Sequence, residues 1–189
     1  MEAREYSQKI RKVTSLVRRV MPNLPYHNLG HALDVYRAVN RLAELEGVDQ
    51  YKRFLAGTAG ILHDISLDEE KAAEIAGMHL PRIGYNNQEI REIQEDILAT
   101  KMPQRPKTLL QKIICDADLD NLGREDFFDK GELLRQEWGL SKNRQWYERQ
   151  KSFLESHVYH TDSAKALRNA GKQANLKKLN RILQEETCM

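Results

Sequence analysis

Apolar residues recur every three to four positions along nearly the whole chain, the period of helices that bury one face. Residues 3–20 carry Ile10, Val13, Leu16, Val17 and Val20 on such a face. The pattern stops at Met21-Pro-Asn-Leu-Pro25, where two prolines disfavour helix in the residues before them. It resumes over 27–46 through Leu33, Val35, Val39, Leu42 and Leu45, and Gly47 supplies a stop. Residues 50–63 follow, with Phe54, Leu55, Ile61 and Leu62 apolar. The small residues Ala56, Gly57, Ala59 and Gly60 let a neighbour approach closely, which predicts the most buried helix of the set. Asp68 reads as the N-cap of a helix at 69–80, with Glu69 and Glu70 in its first turn. Pro81 to Asn87 reads as a loop, and Asn87 as the cap of 88–99, where Ile90, Ile93 and Ile97 share a face. After a second loop at Met102-Pro-Gln-Arg-Pro106, Pro106 opens a helix at 107–121. Later helices fall at 125–137, at 142–155 and, behind Thr161 or Asp162 as cap, at 162–185. No segment reads as a strand and no repeat or low-complexity linker intervenes. The pattern predicts an all-α fold in one domain, residues 1–189.

Composition narrows the function classes. Hydrophobic residues make up 40% and charged residues 31% of the 189, a soluble globular balance. No apolar run approaches the roughly 20 residues of a membrane-spanning helix, and MEAREYSQKIRK lacks the apolar stretch of a secretory signal, so a cytoplasmic location is expected. Cys115 and Cys188 lack the partner spacing of a thiolate metal site or redox pair and read as free thiols. A formal net charge of +2 is too small to make nucleic acid the expected ligand, and the basic face of 162–185 reads as solvated surface. Trp138, Trp146, Tyr147, Phe153 and Leu154 have core-like spacing and read as packing, not as a ring-stacking platform. His79 reads as an imidazole favoured at a helix end, and His157 and His160 lie outside the metal-capable stretches.

Three places set metal-capable side chains in an apolar background. In Tyr26-His27-Asn28-Leu29-Gly30-His31, the two histidines stand one turn apart if both are helical. In Ile61-Leu62-His63-Asp64-Ile65, a histidine and an aspartate end an apolar helix, where they are costly unless ligated or hydrogen-bonded to backbone. In Ile113-Ile114-Cys115-Asp116-Ala117-Asp118-Leu119-Asp120, three aspartates crowd a helix C-terminus, where the dipole disfavours them unless something cationic compensates. Each has a bland reading; together they point to a mixed nitrogen and oxygen donor set suited to Mn, Fe, Co, Ni, Zn or Mg. Four protein donors also leave positions open on a six-coordinate ion, as a catalytic site requires.

The order H…HD…D, given by His31, His63-Asp64 and Asp118, resembles the HD superfamily of metal-dependent phosphohydrolases. The run HNxxHAxDV at His27–Val35 and the LHD at Leu62–Asp64 are similar to the first two metal motifs of cyclic-nucleotide phosphodiesterases. The run DADLDNLG resembles the last motif of small bacterial HD hydrolases, and Ile97–Thr100 and Tyr159-His160-Thr161 are similar to other stretches of that group. The motifs cover about 20–125, with 126–189 expected as C-terminal helices packed on that core. The resemblance implies a helical bundle of the HD type, with His31, His63, Asp64 and Asp118 binding one divalent metal. Asp116 is the near rival of Asp118, which has the better-matching Ala-Asp-Leu context. His27 matches the phosphodiesterase histidine that protonates the leaving oxygen. Those enzymes support a second metal with a histidine where this chain has Leu67; Glu69 or Glu70 stands near that place and could orient water.

The expected activity is hydrolysis of a phosphomonoester, a phosphodiester or a nucleotide, with Asp64 holding both metal and water and His27 as the acid. Lys101, Arg82 and Arg105 are the expected cations for the substrate phosphate, Lys101 foremost because it follows Thr100 at a helix end. The alternative is a non-catalytic helical sensor or scaffold that kept metal or nucleotide binding. The intact donor set and His27 favour the enzyme.

Overall fold

The computed structural model of the protein describes residues 2–185, so Cys188 lies outside the described residues. Nine α-helices run through them in order, and no strand occurs among the described residues. They are α1 (Glu2–Val20), α2 (Leu29–Leu45), α3 (Gln50–Leu62), α4 (Glu69–Ile83), α5 (Asn87–Leu98), α6 (Leu109–Asp118), α7 (Phe127–Glu137), α8 (Arg144–Ser156) and α9 (Asp162–Glu185). A single 3-10 turn, Asp120–Gly123, follows α6.

Helix α3 is the axis of this single helical domain. Every residue from Phe54 to Leu62 is buried, and α1, α2, α4, α5 and α6 all pack on it. The small residues set how closely α2 lies. A Cβ at Gly57 would come within 2.9 Å of the Tyr36 ring, and one at Gly60 within 3.2 Å of Val39. Ala32, Val35, Val39 and Leu42 of α2 close the gap from the other side.

Caps place most helix ends. Asn28, Asp49 and Asp68 accept N–H groups at the starts of α2, α3 and α4. Capping boxes start α5, through Asn86 and Glu89, and α6, through Thr108 and Gln111. Thr161 Oγ1 accepts the Ala164 N–H at 3.2 Å and so starts α9. Gly47, at φ 70°, and Gly84, at φ 104°, take the left-handed conformation that ends α2 and α4.

Several boundaries differ from the expected ones. Helix α4 runs through Pro81 to Ile83, because Leu80 is fully buried and the Gly84 N–H closes the end on Leu80 and Pro81. Tertiary burial outweighs the roughly 3 kcal/mol that an interior proline costs. Asn86, not Asn87, caps α5, and Thr108 with its reciprocal box, not Pro106, opens α6. Helix α6 ends at Asp118, three residues early, where the chain tightens into the 3-10 turn.

Candidate metal centre

Each donor stands where a helix begins or ends. His31 lies in the first turn of α2, fixed by Asn28 Oδ1, which accepts the N–H groups of Gly30 and His31. This cap places His27 in the bend before the helix, so the two histidines do not share a helical face; their rings are 5.9 Å apart and perpendicular. His63 is the C-cap of α3, and Asp64 follows in a turn closed by Ile65 N–H to Leu62 O, with Ile65 buried beneath it. Asp118 is the last residue of α6.

These ends converge. His31 Nε2 lies 3.2 Å from Asp64 Oδ2 and 3.4 Å from Asp118 Oδ1. His63 Nε2 lies 3.0 Å from Asp64 Oδ2 and 3.2 Å from Asp118 Oδ1. One donor atom from each residue falls within 4.8 Å of all the others. Donors about 2.1 Å from a common ion sit about 3.0 Å apart at right angles, so these separations suit a shared cation.

Two observations test that fit. His31 Nε2 is buried and makes no hydrogen bond of acceptable geometry, an orphaned donor atom aimed at two carboxylates. His63 Nδ1 lies 3.0 Å from Gly60 O, and a carbonyl can only accept, so Nδ1 carries the hydrogen and Nε2 faces the carboxylates. Electrostatics agree. Burial opposes charge on both imidazoles, yet Asp64 and Asp118 outweigh it and raise them. Burial likewise opposes both carboxylates, and His63 and His31 nonetheless hold them low. The cluster favours positive charge at its centre.

His27 stands at the edge, its Nε2 3.9 Å from Asp64 Oδ2. Its Nδ1 meets Glu137 Oε1 at 2.5 Å, and the other Glu137 oxygen accepts the N–H groups of Tyr26 and His27, both at 2.9 Å. Burial would raise Glu137, but these hydrogen bonds hold it below the usual range. Glu137 has no sequence signal, because it lies at the end of α7, 110 residues from its partner.

The three aspartates at the end of α6 and in the turn after it separate completely. Asp116 lies about 200° around the helix from Asp118, and its carboxylate accepts His160 N–H, Thr161 N–H and Thr161 Oγ1–H at 2.7–2.8 Å. It anchors the approach to α9 and takes no part in the cluster. Asp120 receives a two-pronged contact from Arg168, at 2.6 and 2.8 Å. Of the two glutamates expected nearby, Glu69 lines the cavity beside the cluster, while Glu70 is exposed and paired with Lys101.

That cavity, about 440 Å³, opens beside His63, Asp64, Asp118 and His27. Lys101, Arg82 and Arg105 are exposed and absent from its walls; Lys101 spends its charge on Glu70. The cations that line it are Lys130 of α7 and Arg149 of α8. Gln104, one residue before Arg105, instead reaches Asp118 Oδ2 at 3.4 Å. Trp138, Trp146 and Phe153, expected as packing, line the cavity; Trp146 is also buried and Phe153 packs on the core, as Tyr147 and Leu154 do, so only the half-exposed Trp138 departs from the expectation. Helical spacing marks a buried face but does not say whether a core or a cavity lies against it.

No family model and no curated protein matches the sequence. Solved structures do match. Bacillus subtilis YpgQ, determined in complex with ADP, is 18% identical, with 96% of each chain covered and a TM-score of 0.72. A predicted HD superfamily hydrolase from an uncultured Thermotogales bacterium is 22% identical, covering 93% of this chain and 91% of its own, at 0.65. A Lactobacillus plantarum protein is 17% identical over 96% and 98%, at 0.76. The chain has the HD-domain fold. In this HD-type fold, the described helices hold a His/Asp group that could bind a metal ion, and none is long and apolar enough to cross a membrane.

Proposed function

We propose that the chain is a metal-dependent phosphohydrolase, with one divalent ion held by His31, His63, Asp64 and Asp118. The reading rests on the convergence of those donors around a buried, unbonded His31 Nε2. The HD-type fold and the ADP held by YpgQ support a phosphate-bearing, nucleotide-like substrate. A divalent ion held by these residues would supply Lewis acidity to a phosphoryl oxygen and make a water easier to deprotonate.

The chain's own residues do the rest. Asp64 has a second oxygen, available to orient the attacking water. Glu137 accepts from His27 Nδ1–H and so directs Nε2 towards the cluster; in the imidazolium form, Nε2–H donates to the departing oxygen. Such transfer is typically worth about 10²–10⁴-fold. Lys130, 4.0 Å from Asp34 and lining the cavity, is the cation placed to meet phosphate charge. Arg124, although close, is engaged by Asp126 and Asp34.

The test is metal analysis of purified protein beside phosphatase, nucleotidase and phosphodiesterase assays with Mn, Co, Ni and Mg. Wild type is expected to bind one ion per chain and to turn over at least one phosphate ester. Asp64→Ala is expected to stay folded and lose both. His27→Ala should keep its metal while turnover falls about 10²-fold or more. Stoichiometric metal without turnover of any ester would make the chain a binding module and overturn the enzyme reading.

A further inference from the structure

The cavity has two unlike walls. One is the polar cluster with His27. The other is built from α7 and α8 by Phe127, Leu134, Trp138, Trp146 and Phe153. Trp146 is buried, but Trp138 leaves 49% of its surface exposed. The two indoles meet edge to face with centroids 6.2 Å apart, and the Arg149 guanidinium lies 5.9 Å from the Trp138 ring. Asn121 also lines the cavity, and its Oδ1 is buried without a hydrogen-bond partner.

A small sugar phosphate is polar on every side and gains little from such a wall. A flat heteroaromatic ring gains from it, because its faces stack on indole and phenyl rings. The volume, about 440 Å³, is within the ~300–1,000 Å³ of small-molecule sites. A ligand whose phosphate lies at the cluster and whose ring lies on the α7–α8 wall uses both. We infer that this wall holds the base of a nucleotide, and that Trp138 is a specificity-determining residue separating base-bearing from baseless phosphate esters. The placement of the phosphate end rests on the phosphohydrolase reading; the ring contact does not.

ADP and ribose 5-phosphate are the probes, each read by equilibrium dialysis with Mn²⁺ and by hydrolysis. Trp138 is half exposed, so Trp138→Ala is expected to fold. Stacking of one base on an aromatic side chain implies a loss of about tenfold in ADP affinity for Trp138→Ala, with Trp138→Phe within about threefold of wild type. Ribose 5-phosphate binding should not change in either variant. An equal loss for both probes, no loss for ADP, or no ADP binding by wild type overturns the proposal. Hydrolysis of neither probe counts only against the phosphohydrolase reading, because the ring contact is judged on binding.

Discussion

Glu137 shows how much of a site one carboxylate can fix. Its two oxygens take three hydrogen bonds, two from backbone N–H groups and one from the His27 ring, so both the position and the tautomer of the imidazole depend on it. Glu137→Gln keeps an acceptor but loses the charge. The expected result is a fall of about tenfold or more in kcat, with KM, metal content and thermal stability unchanged. The fall should be confined to esters whose leaving group needs a proton; an ester with an acidic phenol leaving group should be nearly unaffected. Steady-state kinetics on the two ester types decides the matter. Equal loss on both would mean that Glu137 serves only to hold the chain. His27 was legible from its motif, and Glu137 was not, because nothing local links two residues so far apart in the chain.

At the scale of elements, the C-terminal helix holds the turn that follows Asp118. A Cβ on Gly171 would come within 2.1 Å of Gly123 O, and one on Gly123 within 2.4 Å of Arg168 O. Around this contact, Asn175 Nδ2 donates to the carbonyls of Leu122 and Arg124, at 3.0 and 2.9 Å, and Arg168 clasps Asp120. Alanine in place of a helical glycine normally gains about 1 kcal/mol. Here the clash is with rigid backbone, so Gly171→Ala is expected to destabilise by about 1–3 kcal/mol. Scanning calorimetry should show the transition lowered by several degrees, about 2–4 °C per kcal/mol for a chain of this size. A raised transition would mean that the two backbones part easily. Helix existence was readable from hydrophobic period throughout, but ends such as Pro81 and Pro106 were not. There a buried Leu80 or a reciprocal Thr108–Gln111 cap decided the boundary against the proline signal.

For the molecule as a whole, Asp96 sets a pH dependence of folding. It is 5% exposed, its Oδ2 has no partner, and burial followed by Glu92 and Glu95 pushes it up to about 7. In the unfolded chain the value is about 3.9. A raised carboxyl contributes its full stability below pH ~4 and loses it as pH climbs through 7, since the native state must then bury a charge. At about 1.36 kcal/mol per unit, Asp96→Asn should gain about 2–4 kcal/mol over wild type at pH 8 and little at pH 4. Denaturant titrations at the two pH values measure the difference; a gain that ignores pH would place the carboxylate in contact with water. The donor quartet was legible because each member sits in a short local motif. The cavity wall was not, because Trp138, Trp146 and Phe153 show the same periodicity whether protein or ligand covers them.

Glu137 and Trp138 are neighbours at the end of α7, one gripping the candidate proton donor and the other forming the ring wall. Ring recognition and protonation would thus meet at one helix end. Anything that shifts the indole also pulls on the imidazole's tether. A nucleotide whose ring fails to seat on the indole would then lose turnover as well as affinity.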